Sequence, residues 1–155
     1  MEINHVGITV GDLDRAVSWY RDVLGFAVLV EPGTHTLSTP NGDRRRDVFG
    51  PRWGGMRLAH LATRSGVGVE LFQFIEPATI APEAAFEYWR QGLFHLCVTV
   101  DDLDDTVARL KDAGGVVRSD IHTVRPGTRV VYCEDPWGTV IELSSGSYAE
   151  ITGTA

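Results

Sequence analysis

Two histidines and two glutamates stand out because each type recurs in the same local setting. His5 lies in "INHVGITVGDLDRAV" (residues 3–17) and His95 in "LFHLCVTVDDLDDTV" (residues 93–107). Glu70 sits in "GVGVELFQF" (residues 66–74) and Glu142 in "GTVIELSSG" (residues 138–146). Two imidazoles and two carboxylates form a donor set that suits a divalent ion, whether Zn, Ni, Co, Fe or Mn; ligand type alone does not choose among them. Four such ligands leave one or two positions of a five- or six-coordinate ion for water or a chelating substrate. Burial physics points the same way. A carboxylate in a partly apolar cavity is costly unless it is paired. Two carboxylates close together repel, and one tends to stay protonated. A divalent cation removes both problems. Taken singly, His5 reads as a hydrogen-bonded structural residue and Glu70 as a solvated strand residue. The repetition of all four at equivalent places is what favours a metal site.

The elements around these residues must bring them to one surface. Each copy opens with alternating apolar residues, the period of a half-buried strand. Val6, Ile8 and Val10 point one way, with His5, Gly7 and Thr9 on the other face; Leu96, Val98 and Val100 oppose His95, Cys97 and Thr99. A helix is expected after each strand, N-capped by Asp12 and by Asp102. Leu13, Ala16, Val17, Tyr20 and Leu24, and later Leu103, Val107 and Leu110, fall at helical spacing, and Gly25 and Gly114 read as helix stops. Three strands are expected after each helix: 26–30, 55–62 and 67–74 in the first half, 115–119, 129–134 and 139–144 in the second. Each half is therefore βαβββ. Strand parity puts Glu70 with Gly68, Phe72 and Phe74, and Glu142 with Val140 and Ser144, on the faces that carry the histidines. The expected architecture is α+β: two βαβββ modules forming a curved, half-closed mixed β-barrel with helices on the outer face.

The expected organisation is an N-terminal module over 1–75, a connecting segment over 76–92, a C-terminal module over 93–146 and a loosely held tail over 147–155. "APEAAFEYWRQG", from Pro82 to Gly92, predicts a short connecting helix. Residues 31–54, rich in turn formers, read as a long polar loop. The 155-residue chain suits one compact domain or two small modules sharing a core. Its formal net charge of −7 and the lack of a basic stripe argue against nucleic acid as a partner. No apolar run approaches the roughly 20 residues that span a bilayer. No signal-peptide pattern opens the sequence, and Cys97 and Cys133 form no C-x-x-C, so a reduced, cytoplasmic protein is expected.

The quoted segments resemble the vicinal oxygen chelate superfamily, the group of glyoxalase I, methylmalonyl-CoA epimerase, extradiol dioxygenases, and fosfomycin and bleomycin resistance proteins. "HVGITVGDLDRAVSWYRDVLGF", "VELFQF", "FHLCVTVDDLDDTVARLKDAGG" and "EDPWGTVIELSS" carry the resemblance across most of residues 3–145. The D-P-x-G turn (Asp135, Pro136, Gly138) before the last strand is a frequent mark of that superfamily. The resemblance implies a metal held by His5, Glu70, His95 and Glu142. It also implies a small-molecule substrate with neighbouring oxygens and a homodimer. A carboxylate at 70 favours proton transfer through a metal-chelated enediolate or enolate, as in a glyoxalase I-like lyase or isomerase or an epimerase. Glu142 is then the favoured base, with Glu70 as the other candidate. An Fe(II) extradiol-type dioxygenase and a resistance-type binding protein are the alternatives. Phe72, Phe74, Trp53, Trp89 and Phe94 read as pocket lining, core or interface. Arg44, Arg45 and Arg46 read as a solvated cluster before an anion site, and Cys97 as a small buried hydrophobe. His35, His60 and His122 lack repeat partners and read as structural or exposed.

Overall fold

A computed structural model describes residues 1–84 and 86–154. The chain divides into two compact units, Met1–Ala81 and Pro82–Ala155. The first runs β1 (His5–Thr9), α1 (Leu13–Leu24), β2 (Ala27–Thr36), α2 (Gly42–Phe49), β3 (Gly55–Ala62) and β4 (Gly68–Glu76). Its sheet has the order β1-β4-β3-β2, with β1 parallel to β4 and the other pairs antiparallel. α1 starts where Asp12 accepts a hydrogen bond from the Arg15 amide and stops at Gly25, whose positive φ of 72° closes the last turn. Leu13, Ala16, Val17 and Tyr20 are buried, as are Ile8, Ala59, Leu61, Val69 and Leu71 of the strands. Each such Leu or Val side chain contributes roughly 1.5–3 kcal/mol on leaving water.

The opposite face of this sheet is not uniformly polar. Trp53, Met56 and Leu58 form a second small core with Phe72 and Phe74 packed against it. Phe49, at the end of α2, stacks on Trp53 at 6.2 Å. This second core explains a departure from expectation in residues 31–54. The expected polar loop instead continues β2 to Thr36 and then forms α2. Pairing with β3 satisfies the β2 backbone, and one aromatic anchor holds the short helix.

The second unit runs β5 (Leu96–Thr99), α3 (Leu103–Asp112), β6 (Val116–Val117), β7 (His122–Arg125), β8 (Thr128–Glu134), β9 (Val140–Ser144) and α4 (Tyr148–Thr152). β5 is parallel to β9, β9 is antiparallel to β8, and β6 and β7 pair with different stretches of β8. Asp102 caps α3 by accepting from the Asp105 amide. The α+β class and the repeated βαβββ path match expectation, and neither sheet closes on itself.

Three features of this unit depart from it. β7 adds a hairpin strand; all four of its residues are exposed, so no apolar alternation marks it in the sequence. The described residues of 82–92 form turns and bends rather than the expected helix, Ala85 lying outside the description. A segment this short has no intrinsic helical stability without a packed face. Here Phe86 instead packs edge-on against Phe94 and Tyr132. The tail is held rather than loose: Ser147 and Glu150 form a capping box for α4, and Arg125 donates to the Thr152 carbonyl at 3.2 Å.

Candidate metal centre

β1 and β4 set the first pair. His5 lies opposite Gly68 in the parallel register, and Glu70 is two residues further along β4 on the same face. His5 Nε2 stands 3.6 Å from Glu70 Oε2. Gly68 makes room for this approach, because a Cβ there would lie 2.9 Å from the His5 Cβ. His5 Nδ1 is 2.7 Å from Asn4 Oδ1. An amide oxygen only accepts, so the Nδ1–H of His5 donates to Asn4, and Nε2 is the ring nitrogen that faces Glu70.

The second unit repeats the diagonal. Leu96 pairs with Ile141, so Glu142 stands two residues beyond the position opposite His95. His95 Nε2 is 3.2 Å from Glu142 Oε2. The turn before β9 fixes this placement. Asp135 Oδ1 accepts from the Trp137 and Thr139 amides at 2.9 and 2.7 Å, and Gly138 adopts a φ of 91°. Of the two carboxylates Glu142 is the more enclosed, its side chain 14% exposed against 27% for Glu70.

Two neighbours of the carboxylates were not singled out from the sequence. His60 lies opposite Glu70 across the β3–β4 pair, and its Nδ1 is 3.4 Å from Glu70 Oε1. His60, read as structural or exposed, thus also touches a candidate ligand. Tyr132 occupies the equivalent place opposite Glu142 and meets the His95 ring at 5.2 Å. Desolvation, then the Glu142 carboxylate, pushes the Tyr132 phenol up from its ordinary value. A signal for both was present. Counting back across each hairpin turn from Glu70 or Glu142 reaches His60 or Tyr132. Cys97 needs correction. It keeps accessible surface and pairs with Glu142 across β5 and β9. Burial of the thiol, then the Glu142 charge, pushes it up to about 12.

The other expectations resolve individually. Trp53 is core, while Trp89 is exposed. Arg44 and Arg46 are exposed on α2, and Arg45 donates to the Pro40 carbonyl at 2.6 Å. Among the described residues, no group of three or more His, Cys, Asp or Glu side chains is arranged to hold an ion; the four candidates come as two pairs. The pairs nevertheless fit a divalent cation in kind. Each sets an imidazole nitrogen against a carboxylate oxygen. His5 has its remote nitrogen fixed by Asn4, the outer-shell arrangement that orients ligating histidines. His95 Nδ1 is buried with no hydrogen-bond partner among the described residues.

A family model described as Glyoxalase/Bleomycin resistance protein/Dioxygenase superfamily matches residues 2–143. The chain is 31% identical over 149 residues to a 2-epi-5-epi-valiolone epimerase of an Actinomyces species, covering 91% of this chain and 77% of that protein. It is 29% identical over 144 residues to a lactoylglutathione lyase of Haemophilus influenzae, covering 92% of this chain and 91% of the relative. In fold it is similar to a glyoxalase family protein of Bacillus cereus, with a TM-score of 0.78 at 23% identity over 93% of each chain. It is also similar to a genomically encoded fosfomycin resistance protein of Listeria monocytogenes, with a TM-score of 0.63 at 12% identity over 99% of this chain and 98% of the other.

Proposed function

Because the chain belongs to the glyoxalase/bleomycin resistance protein/dioxygenase superfamily, we propose that it is a divalent-metal-dependent enzyme that moves a proton at a carbon next to a carbonyl. The reaction class is that of a lyase, isomerase or epimerase, in keeping with the names of the epimerase and lyase relatives. The observation that carries this reading is the repeated contact of one histidine with one glutamate, His5 with Glu70 and His95 with Glu142. These four residues are the proposed ligands. A bound divalent cation supplies a Lewis acid to the neighbouring oxygens of a substrate.

The protein residues divide the remaining work. Glu142 would leave the ligand set to take the proton from carbon and return it. Its side chain is the more enclosed of the two carboxylates. Glu70 stays a ligand, held from its other oxygen by His60. His5 and His95 serve as nitrogen ligands. The chemistry needs no O₂ and no redox change.

The test is proton exchange in D₂O. Protein loaded with Co²⁺, Ni²⁺ or Zn²⁺ should exchange deuterium into the carbon beside the carbonyl of a hydroxyketone. Glu142→Gln should lower turnover about 10²–10⁴-fold, the usual contribution of a general base, with a smaller loss of metal affinity. Glu70→Gln should be milder. The reverse ranking moves the base to Glu70. Turnover that strictly requires Fe(II) and O₂ replaces proton transfer with the dioxygenase reading.

A further inference from the structure

We propose that the substrate carries its two oxygens on a flat, apolar, uncharged body, such as an aryl ketone, and not on an anionic thiol conjugate; this rests on the proton-transfer reading above. Each His–Glu pair stands beside its own aromatic wall. In the first unit, Phe72 is the next residue after Glu70 on the same strand face. Its ring lies over Gly7 so closely that a Cβ there would be 3.2 Å from Phe72 Cε2, and Gly7 is the next residue after His5 on that face. Phe74 lies parallel to Phe72 at 5.9 Å and 7°, and Phe49 of α2 meets Phe74 edge-on at 5.2 Å, so the three rings form one aromatic cluster beside this pair.

The second unit builds a similar wall from unrelated sequence. Phe94 meets the His95 ring edge-on at 5.0 Å and stacks on Tyr132 at 6.0 Å. Rings placed beside ligating groups offer a flat substrate stacking and edge contacts that a short aliphatic one cannot make. The structural role of Phe72 and Phe74 in the second core does not remove this surface, since both remain partly exposed.

The charges argue against an anionic body. The formal net charge is −7, which repels anions at long range. Arg118, the cation set over the Phe86 ring at 5.9 Å, is already clasped by both oxygens of Glu134 at 2.6 and 2.9 Å. Arg57 is likewise clasped by Asp14, and Arg129 by Asp104. The exposed Arg44 and Arg46 of α2 are the counter-candidates for an anion, and the experiment includes that outcome.

The experiment compares phenacyl alcohol with hydroxyacetone, two hydroxyketones that differ only by phenyl for methyl, on the metal-loaded protein. Binding is read from tryptophan fluorescence quenching and turnover from deuterium exchange by NMR. In the exchange step a proton passes from carbon to a carboxylate while the electron pair stays in the substrate. A deuteron from solvent then returns. Phenacyl alcohol should bind about tenfold more tightly than hydroxyacetone. Phe72→Leu or Phe94→Leu should reduce that preference about threefold or more, since each keeps the apolar volume and loses the flat ring.

Equal binding of the two ketones overturns the inference. So does displacement of phenacyl alcohol by micromolar methylglyoxal–glutathione hemithioacetal in a manner lost in the Arg44→Ala/Arg46→Ala double variant. If phenacyl alcohol binds with the expected preference and neither ketone exchanges, proton transfer is wrong and the substrate class stands.

Discussion

Glu70 and Glu142 have the same partner type, yet their surroundings differ. Glu70 has an imidazole opposite it, from His60; Glu142 has a phenol from Tyr132 and a thiol from Cys97. The Tyr132 phenol and the Cys97 thiol are both pushed upward, by desolvation first and the Glu142 charge second. His5→Ala, Glu70→Ala, His95→Ala and Glu142→Ala should each lower divalent-metal affinity at least about tenfold, the lower end of what even outer-shell changes cost. Isothermal titration with Co²⁺ measures this, and full occupancy in the two histidine variants would defeat the site. His60→Ala should give a smaller loss, because His60 holds a ligand without being one. Gly68→Ala should weaken metal binding without touching any ligand, because the new methyl meets the His5 Cβ at 2.9 Å and must displace that ring. His122→Ala, on the exposed strand β7, serves as the control.

At the scale of elements, two helices are placed by one acidic cap each. Asp12→Ala removes the side chain that accepts from the Arg15 amide and should cost about 1 kcal/mol of stability, read from urea unfolding. Asp102→Ala should cost a similar amount through the Asp105 amide. Gly115→Ala should cost more, about 1–3 kcal/mol, because its Cβ would come within 2.8 Å of the backbone oxygen of Glu134 and 2.7 Å of Leu110. A β8 shifted in this way also moves Tyr132, so the same variant should change the pH profile of turnover as well as stability. α2 is a different kind of element. It carries Phe49 and three arginines, and Phe49 ties it to Trp53 and to Phe72 and Phe74 of β4.

At the scale of the molecule, the two units each present one pair, and assembly decides how pairs combine. Both sheets have open edges, which favours association. A homodimer is the expected state, and light scattering at micromolar concentration checks it. Mixing His5→Ala with His95→Ala protein then separates two arrangements. If a site draws its pairs from two copies, mixed dimers regain one intact ligand set and recover metal binding and turnover. If each site is built within one copy, mixing recovers nothing. No helix among the described residues is long and apolar enough to cross a membrane.

Local rules made much of this protein legible before its folding was known. Period-two alternation placed the strands of His5, Glu70 and Glu142, whereas the strand expected to include His95 begins one residue later, at Leu96. Asp12 and Asp102 announced their helices, and the recurrence of one pattern announced the βαβββ path. These are consequences of backbone geometry and solvent, acting over a few residues. Tertiary structure alone decided the rest. It turned residues 42–49 into a helix by giving Phe49 a place on Trp53, and it left the described residues of 82–92 in turns and bends, with Phe86 packed on Phe94. It set His60 against Glu70 and Tyr132 against Glu142, pairings that a count back across each turn suggests but that hairpin register decides. Burial has the same origin: the greater enclosure of Glu142 over Glu70 comes from what packs around each strand, which no run of neighbouring residues encodes.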